Sequence, residues 1–131
     1  MKSAMRHAVR VIGTLALSLA MQSLSAADAA PQTIEVTLGS YYIKPEKIQV
    51  KAGVPVTLNI KNEASVVPHN LAISAPEAGI DVKADVGGGK QASVTFTPSR
   101  SGTYEMVCTK KMPLMKSHKD KGMVGVLEVV P

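Results

Sequence analysis

Val54-Pro55-Val56-Thr57-Leu58-Asn59-Ile60-Lys61 decides the character of this chain, because every second residue is apolar. Side chains of an extended strand alternate between two faces, so Val54, Val56, Leu58 and Ile60 share one face. Thr57, Asn59 and Lys61 share the other, which marks a strand buried on one side only. Pro55 falls on the solvated side near the start, where a missing backbone donor is tolerated. The reading extends in both directions. Thr33–Leu38 and Lys47–Lys51 alternate likewise, and Ala52-Gly53 punctuates the second. Asn70–Ser74, Ala92–Thr97, Gly102–Cys108 and Met123–Val130 read as further strands. No window keeps a helical apolar period with caps. Ala75–Lys90, with Pro76, Gly79 and Gly87-Gly88-Gly89, reads as a loop crossing between sheets. About seven short strands with turns between them predict an all-β fold, a Greek-key β-sandwich. Phe96, Tyr41, Tyr42 and Tyr104 are the only aromatic residues. The core must therefore rest on aliphatic side chains, and Ile48, Val50, Val56, Leu58, Ile60, Leu71, Ile73, Val94, Phe96, Val126 and Val129 are the expected contributors.

The first 29 residues do not follow this pattern. Lys2, Arg6 and Arg10 precede an apolar run from Val11 to Met21, and small residues follow at Ser25-Ala26-Ala27 and Ala27-Asp28-Ala29. These are the parts of a secretory signal peptide, with cleavage after Ala26, Ala27 or Ala29 all open. The run is about half the roughly 20 apolar residues that a membrane span needs. Residues 1–29 are thus expected to be removed on export, leaving 30–131 as one domain in the periplasm or an equivalent space, with no membrane attachment. Losing Lys2, Arg6, Arg10 and Asp28 lowers the formal charge from +5 to about +3, too little to argue for nucleic acid.

His7 leaves with that segment, so the remaining chain holds two histidines, His69 and His118, and one cysteine, Cys108. A single cysteine cannot form an internal disulfide, and a free thiol in an oxidising space needs burial or a ligand. His69 opens a strand, Cys108 closes another, and His118 and Met123 follow on the loop into the last strand. Taken singly, such residues are usually structural. Taken together, a thiolate, two imidazoles and a thioether form a soft donor set that suits copper in an electron-transfer role. Zinc would take further cysteines, histidines or carboxylates and has little use for a thioether. Met112 and Met115 share the loop and read as an apolar rim, with an extra contact to Cu(I) as the alternative.

At these residues the chain resembles the cupredoxins, the small blue copper proteins. The resemblance covers nearly all of residues 30–131. Tyr42-Ile43-Lys44-Pro45-Glu46-Lys47-Ile48-Gln49-Val50-Lys51-Ala52-Gly53 is similar to the family's early strands, and Pro68-His69-Asn70 to its first-ligand segment. Tyr104-Glu105-Met106-Val107-Cys108, then His118, then Gly122-Met123-Val124-Gly125 is similar to its second. The resemblance implies one type 1 copper held by His69, Cys108, His118 and Met123. It also implies a hydrogen bond between Asn70 and Thr109 that ties the two ligand segments together. Nine residues, Thr109 to Ser117, separate Cys108 from His118, a longer loop than in plastocyanin or azurin. That loop, with Lys110-Lys111 and Lys116-Ser117-His118, is most similar to bacterial periplasmic cupredoxins associated with copper tolerance.

Lys110, Lys111, Lys116, Lys119 and Lys121 cluster on this loop against one opposing charge, Asp120. The cluster reads either as a solvated loop or, with Met112 and Met115, as a patch that steers an acidic redox partner. Enzyme chemistry is not expected. No Ser-His-Asp set or carboxylate pair stands out, and no histidines remain for a second copper site. The expected function is Cu(II)/Cu(I) cycling for electron transfer. The alternatives are copper tolerance by sequestration or Cu(I) oxidation, and a metal-free sandwich that binds a protein partner.

Overall fold

A computed structural model describes residues 30–131, and the expected signal segment, residues 1–29, lies outside the described residues. Nine strands follow in chain order: β1 (Gln32–Gly39), β2 (Tyr42–Lys44), β3 (Lys47–Lys51), β4 (Val56–Asn62), β5 (His69–Ala75), β6 (Ile80–Val86), β7 (Gln91–Phe96), β8 (Gly102–Val107) and β9 (Val124–Val130). They form two sheets, ordered β2-β1-β4-β7 and β3-β9-β8-β5-β6, so the chain crosses repeatedly from one sheet to the other. The all-β sandwich expected from the alternation is the fold observed.

β4 shows why the alternation is decisive. Val56, Leu58 and Ile60 are buried, with Val54 just before them, and the intervening residues are half-exposed or exposed. β4 lies between β1, which runs parallel to it, and β7, which runs antiparallel, so both of its edges are hydrogen-bonded. The opposing sheet closes the core with Ile48, Val50, Leu71, Ile73, Met106, Leu127 and Val129.

Three expectations change. The number of strands is nine, not about seven, because Tyr42–Lys44 pairs with β1 and because Ala75–Lys90 is not a simple loop. The prolines and glycines there bracket Ile80-Asp81-Val82-Lys83-Ala84-Asp85-Val86, which alternates buried and exposed along its length. β6 is the edge of the five-stranded sheet, and its charged outward residues suit an edge that must not pair with another chain. Val126 is not in the core, since it sits three residues from Val129 and a strand's period is two. The inward row of β9 is Gly125, Leu127 and Val129, with Met123 just ahead of the strand. Val94 is only half-buried and packs against the core from β7. Gly125 has a steric reason: a Cβ there would lie 2.9 Å from the Glu46 carbonyl oxygen and 2.8 Å from Met106 Cε.

Candidate metal centre

The strand register brings the expected donors together. β5 and β8 pair antiparallel with Ala72 opposite Val107. Continuing that register sets Asn70 across from Thr109, with His69 and Cys108 beside them. Side chains confirm the juxtaposition: Asn70 Nδ2 donates to Thr109 Oγ1 at 2.8 Å, and the Thr109 N–H donates to Asn70 Oδ1 at 2.7 Å. The implied tie between the two segments is present. The Asn70 N–H also points at Cys108 Sγ, 3.4 Å away.

The loop between β8 and β9 folds back by local bonds. The Ser117 hydroxyl donates to Asp120 Oδ2 at 2.6 Å and accepts from the Asp120 N–H at 3.1 Å, starting a short 3₁₀ turn over Lys119–Lys121. Gly122 ends it in the left-handed region, φ 95°. The His118 carbonyl then accepts from both the Lys121 and the Met123 N–H groups, each at 3.1 Å. The Met123 carbonyl in turn accepts from the Cys108 N–H at 3.3 Å. Five residues of separation thus become a closed turn, and the buried Met123 is bonded through its backbone to both neighbouring ligand residues.

His69 Nδ1, Cys108 Sγ and His118 Nδ1 converge. The two nitrogens are 3.1 Å apart, and Cys108 Sγ lies 3.5 Å from His118 Nδ1 and 3.9 Å from His69 Nδ1. All three residues are buried, and His118, at 4% exposure, is the one that reaches the surface. Burial pushes the pKa of His69 down, and the nearby His118 adds to the effect. Burial lowers that of His118 as well, and the charge of Lys121 adds there. Both effects favour the neutral ring, the form that binds a metal. A thiol and two imidazoles at one point, with the buried Met123 bonded through its backbone beside them, fit copper, and they fit zinc poorly.

Tyr41, a wall of the site, is not apparent from the sequence. Its ring meets His118 edge-on, with centroids 5.2 Å apart, and His69 at 6.5 Å. It sits in the turn between β1 and β2, with φ +69°, and only that turn aims it at the site. Val66 and Val67 are also exposed, and Val67 lines the surface depressions beside His118. The apolar pair just before Pro68-His69 was the available signal.

The lysine cluster divides. Lys110 pairs with Asp85 and Lys119 with Glu105, each at 2.7 Å, while Lys121 donates to Tyr41 Oη at 3.1 Å. Lys111 and Lys116 make no ion pair among the described residues. Met112, Leu114 and Met115 are exposed at 60%, 105% and 47%, and Met112 and Met115 line a depression of about 50 Å³ over His118. Met112 and Met115 thus stand beside the solvent edge of His118.

Comparison with known proteins agrees with this geometry. The family model described as a cupredoxin-like domain matches residues 11–124. Reduced auracyanin from the photosynthetic bacterium Roseiflexus castenholzii superposes with a TM-score of 0.63 at 26% identity, covering 79% of this chain and all of that one. Auracyanin A, a "blue" copper protein from Chloroflexus aurantiacus, gives 0.60 at 26% identity over 77% of this chain and all of its own. The metal-binding domain of the Cu(I)-exporting ATPase CopA from Streptococcus pneumoniae shares the fold, with a TM-score of 0.59 at 18% identity over 77% of this chain and 87% of that one. No curated protein matches the sequence.

Proposed function

The chain belongs to the cupredoxin-like domain family, and from that premise we propose that it is an exported type 1 copper protein that carries single electrons. The observation that carries this reading is the convergence of His69 Nδ1, Cys108 Sγ and His118 Nδ1 next to the buried Met123. Copper bound there supplies one-electron chemistry between Cu(II) and Cu(I). The chain's own contribution is rigidity. Asn70 and Thr109 hold the ligand segments in register, and the Asn70 N–H supports the sulfur. Donors already placed by the fold need little rearrangement when the charge changes. His118 provides the ligand edge nearest solvent, inside a rim of Met112, Met115 and Val67. Lys111, Lys116 and Lys121 around that rim suit an acidic redox partner. No catalytic role is proposed. The basic-apolar-small pattern of residues 1–29 supports export to the periplasm with removal of that segment.

Adding Cu(II) to residues 30–131 should produce an intense thiolate-to-copper absorption band. A colourless complex, or a band that survives Cys108→Ser, would defeat the assignment.

Copper tolerance by sequestration or Cu(I) oxidation is the second reading. The exposed thioethers of Met112 and Met115 beside His118 favour it, since thioethers are soft ligands. A deletion strain that is copper-sensitive but respires normally would support tolerance; the reverse would support electron carriage. A metal-free interaction module leaves the buried convergence of donors without a purpose.

A further inference from the structure

We infer that Tyr41, braced by Lys121, is the positioning residue that fixes the His118 imidazole and closes the copper site at its solvent edge. The inference rests on the copper reading above and concerns what orients the ligand. A metal-binding histidine is ordinarily oriented by a hydrogen bond from its remote ring nitrogen to a carboxylate, carbonyl or water. Among the described residues neither ring has such a protein partner: His69 Nε2 is buried without one, and the contacts of His118 run through Nδ1. Ring packing is the orienting contact that the protein's own side chains offer these imidazoles.

Tyr41 is placed for this. Its ring meets both imidazoles edge-on, at interplanar angles of 71° to His118 and 83° to His69. Lys121 braces it from outside, with Nζ 4.3 Å from the ring centroid and 3.1 Å from the hydroxyl. The backbone gives an independent sign. Tyr41 occupies the left-handed region at φ +69°, where a side chain with a Cβ costs free energy and glycine does not. Such strain is retained where the side chain serves a purpose that a relaxed residue would not. The small depression over His118 is bounded by Tyr41 and Lys121, so removing either opens the path to the ligand.

The test compares Tyr41→Gly, Tyr41→Phe and Lys121→Gln in the copper-loaded and metal-free forms of residues 30–131. Glycine relieves the backbone and removes the wall. Tyr41→Gly should therefore leave the metal-free protein melting within a few degrees of wild type, yet release copper to a chelator about tenfold faster, the low end for losing a group that orients a metal ligand. Its charge-transfer band should shift, and the His118 ring signals in metal-free NMR spectra should broaden. Tyr41→Phe keeps the ring and should restore slow release. Lys121 is half-exposed, so Lys121→Gln is expected to fold whatever Tyr41→Gly does, and should speed release roughly two- to fivefold. Wild-type release from both Tyr41→Gly and Lys121→Gln overturns the inference, as does Tyr41→Phe releasing as fast as Tyr41→Gly. If Tyr41→Gly unfolds, wild-type release from Lys121→Gln alone overturns it. A wild-type protein without the charge-transfer band would instead defeat the copper reading, so the two failures are distinguishable.

Discussion

The clamp between Asn70 and Thr109 gives the most direct prediction about how the ligand segments are held. Asn70 is buried at the start of β5, and its side chain both donates to Thr109 Oγ1 and accepts from the Thr109 N–H. Asn70→Ala removes both bonds. A net hydrogen bond contributes about 0.5–1.5 kcal/mol, so the loss should be about 2 kcal/mol, with water reaching the exposed Thr109 and limiting any further penalty. In a domain of this size that lowers the melting temperature by roughly 10 °C. Thr109→Ala removes one bond and leaves the backbone one, so it should cost about 1 kcal/mol. Once Asn70 is truncated the hydroxyl has no partner, so the double variant should be no less stable than Asn70→Ala alone. The coupling is then about 1 kcal/mol. Urea unfolding of the metal-free protein measures all four corners of this cycle without any contribution from bound metal. A loss below about 0.5 kcal/mol for Asn70→Ala, or costs that simply add, would refute the reasoning.

Gly125→Ala should destabilise the protein by about 1–3 kcal/mol, because the new methyl group meets the Glu46 carbonyl and the Met106 tip; an unchanged urea midpoint would show that β9 is less tightly seated. Electron exchange with an anionic reagent such as hexacyanoferrate should slow as ionic strength rises through about 0.1 M. Lys111→Gln combined with Lys116→Gln should weaken that dependence more than Lys110→Gln combined with Lys119→Gln, whose charges are already paired. Equal effects from the two pairs would mean that the ion pairs do not persist in solution. The metal-free protein should lose stability as pH falls below about 6.5. Both histidines have lowered pKa values when folded, so the unfolded chain takes up protons first and gains from acid. Unfolding curves that match at pH 7.5 and 5.5 would contradict this sign.

Much of the fold was legible in the sequence because half-buried strands declare themselves. The two-residue alternation of Val54–Lys61 needs no partner to be read, and it holds wherever one face meets a core. His69, Cys108 and His118 were legible by elimination, since residues 30–131 contain no other histidine or cysteine, and Met123 by its spacing. β6 was legible but hidden by the prolines and glycines on either side of it. Val126 faces outward because it lies an odd number of residues from the buried Val129, and successive side chains of a strand point to opposite faces. What the sequence could not contain is whatever depends on neighbours distant along the chain. Five lysines look equivalent in a row, and only the approach of Asp85 and Glu105 from other strands pairs two of them. Tyr41 lies 77 residues from His118 in a turn whose sequence says nothing of metal. Residue types and local periods set the chemistry and the strands of this protein; the packing of one sheet's turns against the other's loops decided which side chains hold that chemistry in place.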